Sequence, residues 1–544
     1  MPSLLSQNLP ALQVVLPLIA APLCLFLRPP KLAWLFALAV SGAAFAIAVA
    51  LVGAVAANGA FNYEMGGWAA PWGIEYVIDP LDSFMLCLVT GIATLVLIYA
   101  GPSVEAEIPR GQIPVFYVLF LLCLTGLLGM VATGDVFNLF VFLEISSLST
   151  YALVAMGRDP RALTAAYRYL ILGSLGATFY VIGIGLLYMM TGTLNMEDLA
   201  RRIPEVGETR TISVAIAFLA VGLALKLALF PLHKWLPGAY THAPSVVTAF
   251  LAATATKVAI YVLVRIFFTV LGPIDAFQTL PAAMSETQVV SILAILAMLS
   301  GSAVAIFQYN LKRLFAYSSI AQVGYMILGI SMASITGMTG GLVHMINHAM
   351  IKGAVFMALG AVILRIGACD IRRLDGLGYR MPVTMAAFVI AALSLIGVPG
   401  TSGFISKLYL VKGAMEAQNW VMVTAVLVSS LLAVIYIWRV LEVAYFRAAP
   451  ADAPKVREAP LVMLAPLWIL ALANIYFGLE TTYSVGLTEA AADFILNYVP
   501  GEGPTWEHPL FDDGHGYGAD HGPGHGGGHV PEAEQGAHAP GVDL

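Results

Sequence analysis

The stretch that decides the fold is residues 223–238, LALKLALFPLHKWLPG, where a lysine and two prolines interrupt an apolar run. Lys226 has apolar neighbours on both sides, and Pro231 lacks a backbone donor, so a helix must end or kink there. An ionisable side chain at membrane depth costs at least about 2.5–3.5 kcal/mol on insertion scales, so it requires a partner, water or a function. The stretch therefore predicts a broken membrane helix with a lysine beside the break.

The rest of the chain has the composition of a membrane protein. Of its 544 residues, 60% are hydrophobic and 11% are charged, and the mean hydropathy is +0.86. Soluble domains carry roughly 25% charged residues. Apolar runs of about 18 residues recur from end to end, and each predicts a helix because backbone in lipid must satisfy its own polar groups. The sequence has no basic stripe with interleaved aromatic residues, which argues against a nucleic-acid partner.

We predict an all-α membrane protein with about fourteen transmembrane helices. The predicted spans are approximately 12–27, 32–55, 81–99, 113–133, 136–156, 166–191, 213–230, 245–271, 289–309, 314–333, 342–364, 383–410, 421–446 and 460–477. The predicted organisation is three N-terminal helices (1–110), a first five-helix repeat (111–272), a second five-helix repeat (273–447), the region of the fourteenth helix (448–500) and a tail (501–544). The tail is rich in His, Gly and Pro, so we expect it to be disordered, either as an inert solvated end or as a weak transition-metal binder.

A second break is predicted at residues 398–403, VPGTSG, shortly before Lys407. Both breaks fall in the fourth helix of a set of five, so the seventh and twelfth helices are broken. Interrupted spans at matching places in two halves are typical of inverted repeats with an ion site at the midplane. The lysine precedes the first break but follows the second, which the sequence does not explain. Two unrelated proline kinks are the alternative.

Ionisable residues lie at membrane depth on several different spans. The candidates are Glu144, Lys226, Lys257, His344, His348, Lys352 and Lys407. A lysine held away from water releases its proton more readily, and a nearby carboxylate reverses this effect, so one acid with several lysines suits a proton relay. The alternative is a set of buried ion pairs that only hold helices together, which the excess of lysines disfavours.

The eleventh span carries His344, His348 and Lys352 at intervals of four residues, so all three share one helix face. Histidine titrates near neutral pH and suits proton transfer. Core histidines and a metal or haem site are the alternatives; a haem would need a further histidine, for which His242 near a membrane edge is the one candidate. The cysteines, Cys24, Cys87, Cys123 and Cys369, are isolated, so we expect neither an iron–sulfur cluster nor a thiolate zinc site.

The orientation follows from the positive charges in short loops. Loops after odd-numbered spans carry most of them: Arg28, Lys31, Arg158, Arg161, Lys312, Arg313, Arg365, Arg372, Arg373, Arg380, Arg447, Lys455 and Arg457. Loops after even-numbered spans are mostly acidic or neutral. We therefore predict a multi-pass protein of the cell membrane with both termini outside the cytoplasm. The first apolar run lacks a basic start and a small-residue cleavage site, so we expect it to be retained as a helix.

Residues 226–245, KLALFPLHKWLPGAYTHAPS, resemble the signature of the antiporter-like membrane subunits. Mrp-type multisubunit sodium/proton antiporters, respiratory complex I and membrane-bound hydrogenases share this family, and the resemblance covers about residues 81–446. The GAYTHAPS run, and Lys407 where some relatives have Glu, are most similar to the D-type subunit of the Mrp antiporters. The resemblance implies two inverted five-helix repeats. It also implies a proton path through a set of buried residues, with the first two as a switching pair: Glu144, Lys226, Lys257, His344, His348 and Lys407.

The function that the resemblance implies is that of a proton-translocating subunit of a sodium/proton antiporter, a transporter without its own cofactor or redox centre. Its partners would be other membrane subunits of the antiporter, the lipid bilayer, H⁺ and Na⁺, and Glu144 would also face a lysine of a neighbouring subunit. One alternative is an ion-pumping subunit of a redox-driven complex, either an NADH:quinone oxidoreductase or a membrane-bound hydrogenase. A scaffold whose charged residues only pack is another.

Overall fold

The computed structural model describes residues 7–207, 209–272, 286–449 and 456–498, and nearly all of these are helical. The α-helices in chain order are α1 Leu9–Cys24, α2 Pro30–Asn58, α3 Pro80–Glu107, α4 Ile113–Ala132, α5 Val136–Ala155, α6 Arg161–Thr191, α7 Met196–Val206, α8 Arg210–Leu227, α9 Trp235–His242, α10 Ser245–Ala253, α11 Ala255–Val264, α12 Glu286–Ile306, α13 Leu311–Ser331, α14 Ile335–Ile366, α15 Leu377–Arg380, α16 Pro382–Ile396, α17 Ser402–Glu416, α18 Trp420–Leu441, α19 Leu461–Leu479 and α20 Thr482–Leu496. The π-helical segments Arg265–Val270 and Glu442–Phe446 extend α11 and α18.

Within these residues, 12 helical stretches are long and apolar enough to cross a membrane. Two shorter apolar helices, α1 and α16, complete the set of about fourteen spans that the sequence predicts. The prediction of an all-α membrane protein is confirmed. The seventh span differs slightly, because its first helix ends at Leu227 rather than at Phe230. Ala228 has a left-handed backbone (φ 59°), which ends the helix three residues before Pro231.

Two sets of five spans are built in the same way, α4 to α11 and α12 to α18. In each set, the turn between the first two spans forms a β-bridge with the segment that follows the third span. The bridge joins Asp135 to Asn195 in the first set and Asn310 to Asp370 in the second. All four side chains also accept a hydrogen bond from a backbone N–H at the start of the next helical segment. The shared construction supports the repeats, although their exact residue bounds stay a prediction.

The seventh and twelfth spans are both broken, as the sequence predicts. The chain leaves helical geometry between α8 and α9, and again between α16 and α17, where Gly397 (φ 91°) and Gly400 (φ 85°) have left-handed backbones. The eighth span is also broken, at Thr254 (φ −124°, ψ −58°) between α10 and α11. The sequence did not predict this third break, because neither proline nor glycine marks it.

Three elements outside the predicted spans complete the described fold. Strands β1 (Phe61–Glu64) and β2 (Glu75–Ile78) form an antiparallel hairpin between the second and third spans. Helix α7 buries the apolar face formed by Met196, Leu199 and Ile203. Helix α20 follows the last span and was missed because Thr, Ser, Glu and Asp residues interrupt its apolar pattern. The His-rich tail of residues 501–544 lies outside the described residues.

A buried ionic cluster ties the third span to the eighth. The Arg265 guanidinium contacts Asp79, which caps α3, and lies 2.6 Å from the carboxylate of Asp82 in the first turn of α3. The Tyr261 hydroxyl lies 2.5 Å from Asp82 Oδ1 and 2.8 Å from the carbonyl oxygen of Val131, and its one proton is within reach of both acceptors. All three charged side chains are almost completely buried. One buried arginine therefore forms ion pairs with two buried carboxylates.

We expect Arg265→Gln to destabilise the protein by about 3 kcal/mol or more, because removing one partner leaves buried charge uncompensated. Thermal melting of the purified assembly would measure the effect. Arg201→Gln is the matched control, since Arg201 forms an exposed pair with Glu197, and such pairs contribute less than about 1 kcal/mol. Equal melting temperatures for the two variants would contradict a stabilising role for the cluster.

Candidate functional site

Glu144 and Lys226 meet between α5 and α8. The Lys226 Nζ lies 3.5 Å from Glu144 Oε1 and donates to the Ser147 hydroxyl at 2.6 Å. Ser147 follows Glu144 by three residues, so both side chains lie on one face of α5 and share the ammonium. The Lys226 side chain is 8% exposed and that of Glu144 is 25% exposed. The acid therefore lies at the outer surface of the chain, where lipid or a neighbouring subunit would cover it, and the lysine lies inside.

The break beside Lys226 is held by its own second half. The indole Nε1 of Trp235, the first residue of α9, donates to the carbonyl of Leu225 at 2.8 Å. The Trp235 ring stacks on Tyr169 of α6, with 3.9 Å between centroids and 5° between planes. This bond satisfies a carbonyl in the last turn of α8, where few intrahelical donors are available. Lys226 therefore occupies the final turn of a half-helix whose end is fixed.

A small cavity lies inward of Lys226. Its volume is about 40 Å³, and its lining includes Lys226, Ser147, Trp235 and Thr256. A cavity needs roughly 10–15 Å³ to hold one water, and the water needs polar partners, which the ammonium and the two hydroxyls supply. Thr256 directly precedes Lys257 in α11. The cavity thus connects the first lysine to the neighbourhood of the second.

Lys257 is completely buried and uses a carbonyl released by the break in the eighth span. Its Nζ donates to the carbonyl of Ala252 and lies 3.4 Å from the Thr256 hydroxyl. The carbonyl is free because helix α10 ends at Ala253 and the chain restarts at Ala255. In the described part of the chain no carboxylate lies within 4 Å of this ammonium. The unpredicted break therefore provides the main polar contact of Lys257.

The two histidines of α14 stack one turn apart. Their ring centroids are 6.2 Å apart, with 6° between planes. His344 has a partner at each ring nitrogen: Nδ1 lies 2.9 Å from the Ser406 hydroxyl, and Nε2 lies 2.9 Å from Gln322 Oε1. His348 is fully buried, and among the described residues neither of its ring nitrogens has a hydrogen-bond partner. His348 lies within electrostatic range of Lys257 and is the natural next group after it.

Lys352, one turn after His348, points toward α13. Its Nζ donates to the carbonyl of Phe315 and to the Ser318 hydroxyl, both at 2.9 Å. The same ammonium lies 5.3 Å from the centre of the Phe315 ring, within the range of a cation–π interaction. The predicted shared face of His344, His348 and Lys352 is therefore present. The Lys352 ammonium, however, makes its hydrogen bonds to α13.

Lys407 reaches back across the break in the twelfth span. Although it belongs to α17, its Nζ donates to the carbonyls of Leu395 (3.1 Å) and Ile396 (2.7 Å), the last two residues of α16. A helix C-terminus carries partial negative charge and attracts a cation. The ammonium also lies 5.0 Å from the centre of the Tyr325 ring. This accounts for the reversed order in the sequence, because both lysines are associated with the end of the first half-helix: Lys226 lies in the last turn of α8, and Lys407 reaches the end of α16 from α17.

The structure brings six of the seven predicted residues into one buried series. The order is Glu144, Lys226, Lys257, His348, His344 and Lys407, which we call the track. We leave Lys352 out of the track because its ammonium is hydrogen-bonded to α13. Sequence reasoning missed the hydroxyls that join the members: Ser147, Thr256 and Ser406. Each lies within three residues of a track member along the chain, and this proximity is the signal that could have found them.

A larger cavity of about 750 Å³, here called the vestibule, lies where several spans end on one side of the protein. Its lining includes Arg158, Asp159, His242, Lys312 and Arg373. His242 Nδ1 lies 3.1 Å from Asp159, which places the histidine in the vestibule and not beside His344 and His348. Hydrogen bonds from Arg161 lower the pKa of Asp159 to about 2, so this carboxylate stays charged at neutral pH. No group of three or more potential metal ligands (His, Cys, Asp or Glu) occurs among the described residues.

We expect ordered water in the cavity between Lys226 and Thr256, because its volume of about 40 Å³ and its polar lining suit one or two molecules. A cryo-electron microscopy map of the assembly that resolves waters would test this. The apolar core around Leu97 and Val96 of α3 is the internal control and should contain none. A dry cavity with no density near the Lys226 ammonium would contradict the expectation.

Comparison with known proteins identifies the family. The family model described as "NADH:quinone oxidoreductase/Mrp antiporter, TM" matches residues 133–433. The chain is 44% identical to the N subunit of the NADH-quinone oxidoreductase of Desulforudis audaxviator, over 87% of this chain and 96% of that protein. It is 31% identical to the D subunit of the Na(+)/H(+) antiporter of Bacillus subtilis, over 90% of this chain and 98% of that protein.

A solved structure supports the same assignment. The Mrp complex from Dietzia sp. DQ12-45-1b contains a chain that superimposes with a TM-score of 0.82 at 26% identity, covering 91% of this chain and 98% of that one. The matched family segment, residues 133–433, contains every residue of the track. The resemblance seen in residues 226–245 is thereby confirmed. The chain belongs to the NADH:quinone oxidoreductase/Mrp antiporter family of membrane proteins.

Proposed function

We propose that this chain is the proton-translocating subunit of a multisubunit sodium/proton antiporter. The observation that carries the proposal is the track, a series of buried ionisable side chains that passes from α5 in the first repeat to α17 in the second. Ionisable groups at membrane depth are costly and are functional by default. Relatives that are named as the D subunit of an antiporter, and an Mrp complex of the same fold, support the choice of a sodium/proton antiporter.

The first step is a switch at Glu144 and Lys226. The pair is 3.5 Å apart, and the Lys226 ammonium has a shorter bond to Ser147. Glu144 is a quarter exposed, so a cation on a neighbouring subunit could draw its carboxylate away. The Lys226 ammonium would then lose its counter-charge and would release its proton through water in the cavity toward Lys257.

The later steps depend on repulsion between like charges. Lys257 has only neutral oxygen partners in the described residues, so a second proton arriving nearby raises the energy of its ammonium form. His348 has both ring nitrogens free of protein partners among the described residues and can accept the proton, directly or through water. His344 and the Ser406 hydroxyl then lead to Lys407, the residue that follows Ser406. Lys407 would be the terminal donor of the track.

The proposal includes an assembly and an orientation. The exposed flank of Glu144 fits contact with other membrane subunits, and Na⁺ would be the exchanged cation. The loops that surround the vestibule carry Arg158, Arg161, Arg372 and Arg373, so the positive-inside rule places the vestibule on the cytoplasmic side of the cell membrane. Both termini would then lie outside.

A second candidate function is that of an ion-pumping subunit in a redox-driven complex. The 44% identity to the N subunit of an NADH-quinone oxidoreductase favours this alternative. The track would move protons in the same way, and the redox centres would belong to other subunits. The proteins that co-purify with the chain discriminate between the two functions. Small hydrophobic antiporter subunits support the first, and iron–sulfur or hydrogenase subunits support the second.

We expect Glu144→Ala and Lys226→Ala each to abolish sodium-driven proton movement while the assembly still forms, because either change removes one half of the switch. Dequenching of a pH dye in vesicles that contain the whole assembly measures the transport. Lys412→Ala is the control, since Lys412 is exposed and pairs only with Glu416 on its own helix. Normal transport by either the Glu144→Ala or the Lys226→Ala variant would contradict the proposed proton relay.

We expect Thr256→Val to slow proton movement by roughly a hundredfold, the lower end of the range that one positioned proton-transfer group contributes. Valine nearly keeps the shape of threonine but removes the hydroxyl that lines the cavity beside Lys257. Thr90→Val is the matched control, because the Thr90 hydroxyl is buried and donates to carbonyls of its own helix. The same vesicle assay applies, and equal rates for the two variants would show that protons bypass Thr256.

A further inference from the structure

We propose that Asn474 in the fourteenth span is a positioning residue that holds the break of the twelfth span and thereby sets the environment of Lys407. This inference rests on the proposed relay through Lys407. It concerns a helix outside both repeats. The carbonyls of Leu395 and Ile396 stabilise the charge of Lys407. The hydrogen bonds around the break between α16 and α17 hold these carbonyls in place.

The Lys407 ammonium depends on the carbonyls of Leu395 and Ile396. In the described part of the chain no carboxylate lies within 4 Å of it. The attraction of a helix C-terminus for a cation falls off within about one turn, so it is sensitive to the position of that terminus. Whatever fixes the end of α16 therefore fixes how strongly Lys407 holds its proton.

The end of α16 contacts the start of α17 directly, since the Ser394 hydroxyl accepts a hydrogen bond from the Gly403 N–H at 3.1 Å and lies 3.3 Å from the Ser402 hydroxyl. A side-chain amide of α19 joins the same two serines. Asn474 Oδ1 accepts hydrogen bonds from the hydroxyls of Ser394 (2.9 Å) and Ser402 (3.0 Å). Ser394 lies in the last turn of α16, and Ser402 is the first residue of α17. The Asn474 Nδ2 donates to the carbonyl of Leu470 at 2.8 Å, which anchors the amide to its own helix. One oxygen atom thus bridges the two half-helices.

Two further contacts enclose the same break. A side chain at Gly478, one turn after Asn474, would overlap the backbone of Gly400 and Thr401, so α19 lies directly against the break. From the other side, Asn347 of α14 donates to the carbonyl of Ser402 at 2.6 Å. Asn474, Ser394 and Ser402 are all completely buried, so water cannot replace the hydrogen bonds of the amide.

The first break is held in a different way, which makes the role of the fourteenth span specific to Lys407. There, Trp235 of the broken span itself closes the end of α8 by its bond to Leu225. The break beside Lys226 is therefore closed by a side chain of its own span, whereas the break beside Lys407 has, besides the contacts of Ser394 with Ser402 and Gly403, an added bridge from a separate helix. Movement of α19 would reach Lys407 while leaving Lys226 undisturbed.

The test is the pH dependence of sodium-driven proton movement in vesicles that contain the whole assembly. Asn474→Leu removes both hydrogen bonds to the break and keeps a similar size. We expect its profile to move to lower pH by about half a unit, because the ammonium form of Lys407 loses well-placed carbonyls. Ser402→Ala, which removes one bond of the two, should shift the profile in the same direction by less.

Two comparisons separate positioning from simple loss of stability. Leu467→Ala weakens packing on the same face of α19, two turns from Asn474, and should lower thermal stability without moving the pH profile. Adding Ser402→Ala to Asn474→Leu should give no further shift, because residues that act as one unit are not additive. An unchanged profile in an assembled Asn474→Leu variant, or an additive double variant, would overturn the inference.

The outcome for Lys407 itself distinguishes failure of this inference from failure of the relay. If Lys407→Ala abolishes transport and Asn474→Leu changes nothing, the positioning role is wrong and the relay stands. If Lys407→Ala transports normally, the track does not end at Lys407, and the proposed function fails in its last step.

Discussion

Backbone carbonyls set free at helix breaks are the interaction on which the interior of this protein depends. Lys257 donates to Ala252 at the break of the eighth span, and Lys407 donates to Leu395 and Ile396 at the break of the twelfth. An ammonium in lipid needs oxygen partners, and in an unbroken helix each carbonyl already accepts one intrahelical hydrogen bond, whereas a carbonyl at a break is left without one. A break releases those oxygens without adding a negative charge. The lysines can therefore be charged or neutral without leaving a carboxylate unpaired.

Lys226 differs from these two lysines because it has an acid beside it. Its partner Glu144 sits at the outer surface of the chain, and the Trp235 indole occupies the Leu225 carbonyl in the last turn of the half-helix. The Lys226 ammonium therefore has a carboxylate as its partner where the other two lysines have carbonyls, and this carboxylate lies where another protein can reach it. The two ends of the track therefore differ: Lys226 has the carboxylate of Glu144 as a movable counter-charge, whereas Lys407 has the fixed carbonyl dipoles of Leu395 and Ile396. In the relay that we propose, this difference would allow an event at the Glu144 end to be transmitted toward Lys407.

Much of the fold and of the track could be predicted from the sequence, for identifiable reasons. Apolar runs define the spans, prolines and glycines mark two breaks, and a charge such as Lys257 in an apolar run is conspicuous. The break at Thr254 could not be predicted, because neither proline nor glycine marks it and threonine, although a weaker helix former than alanine, occurs within many helices. The cluster of Asp79, Asp82 and Arg265 was missed because two of its members lie where a loop meets a helix, so they resemble solvent-exposed acids. The bridging role of Asn474 could not be predicted, because an asparagine in an apolar helix is a weaker signal than a charged residue. Hydrogen bonds between spans also depend on how the helices pack, and neither composition nor periodicity encodes that packing.

The spacing of the two stacked histidines limits how the track can be loaded. Their ring centroids are 6.2 Å apart. Two unit charges at about 6 Å repel by about 3 kcal/mol at an effective dielectric constant of ~20, which disfavours simultaneous protonation by about a hundredfold. When one ring is a positively charged imidazolium, the other ring is therefore strongly favoured to stay neutral. Because no carboxylate among the described residues neutralises either ring, the pair can pass a charge onward but cannot store two. In the relay that we propose, transfer along α14 would therefore proceed one proton at a time, and each arrival at His348 would favour departure from His344 toward Lys407.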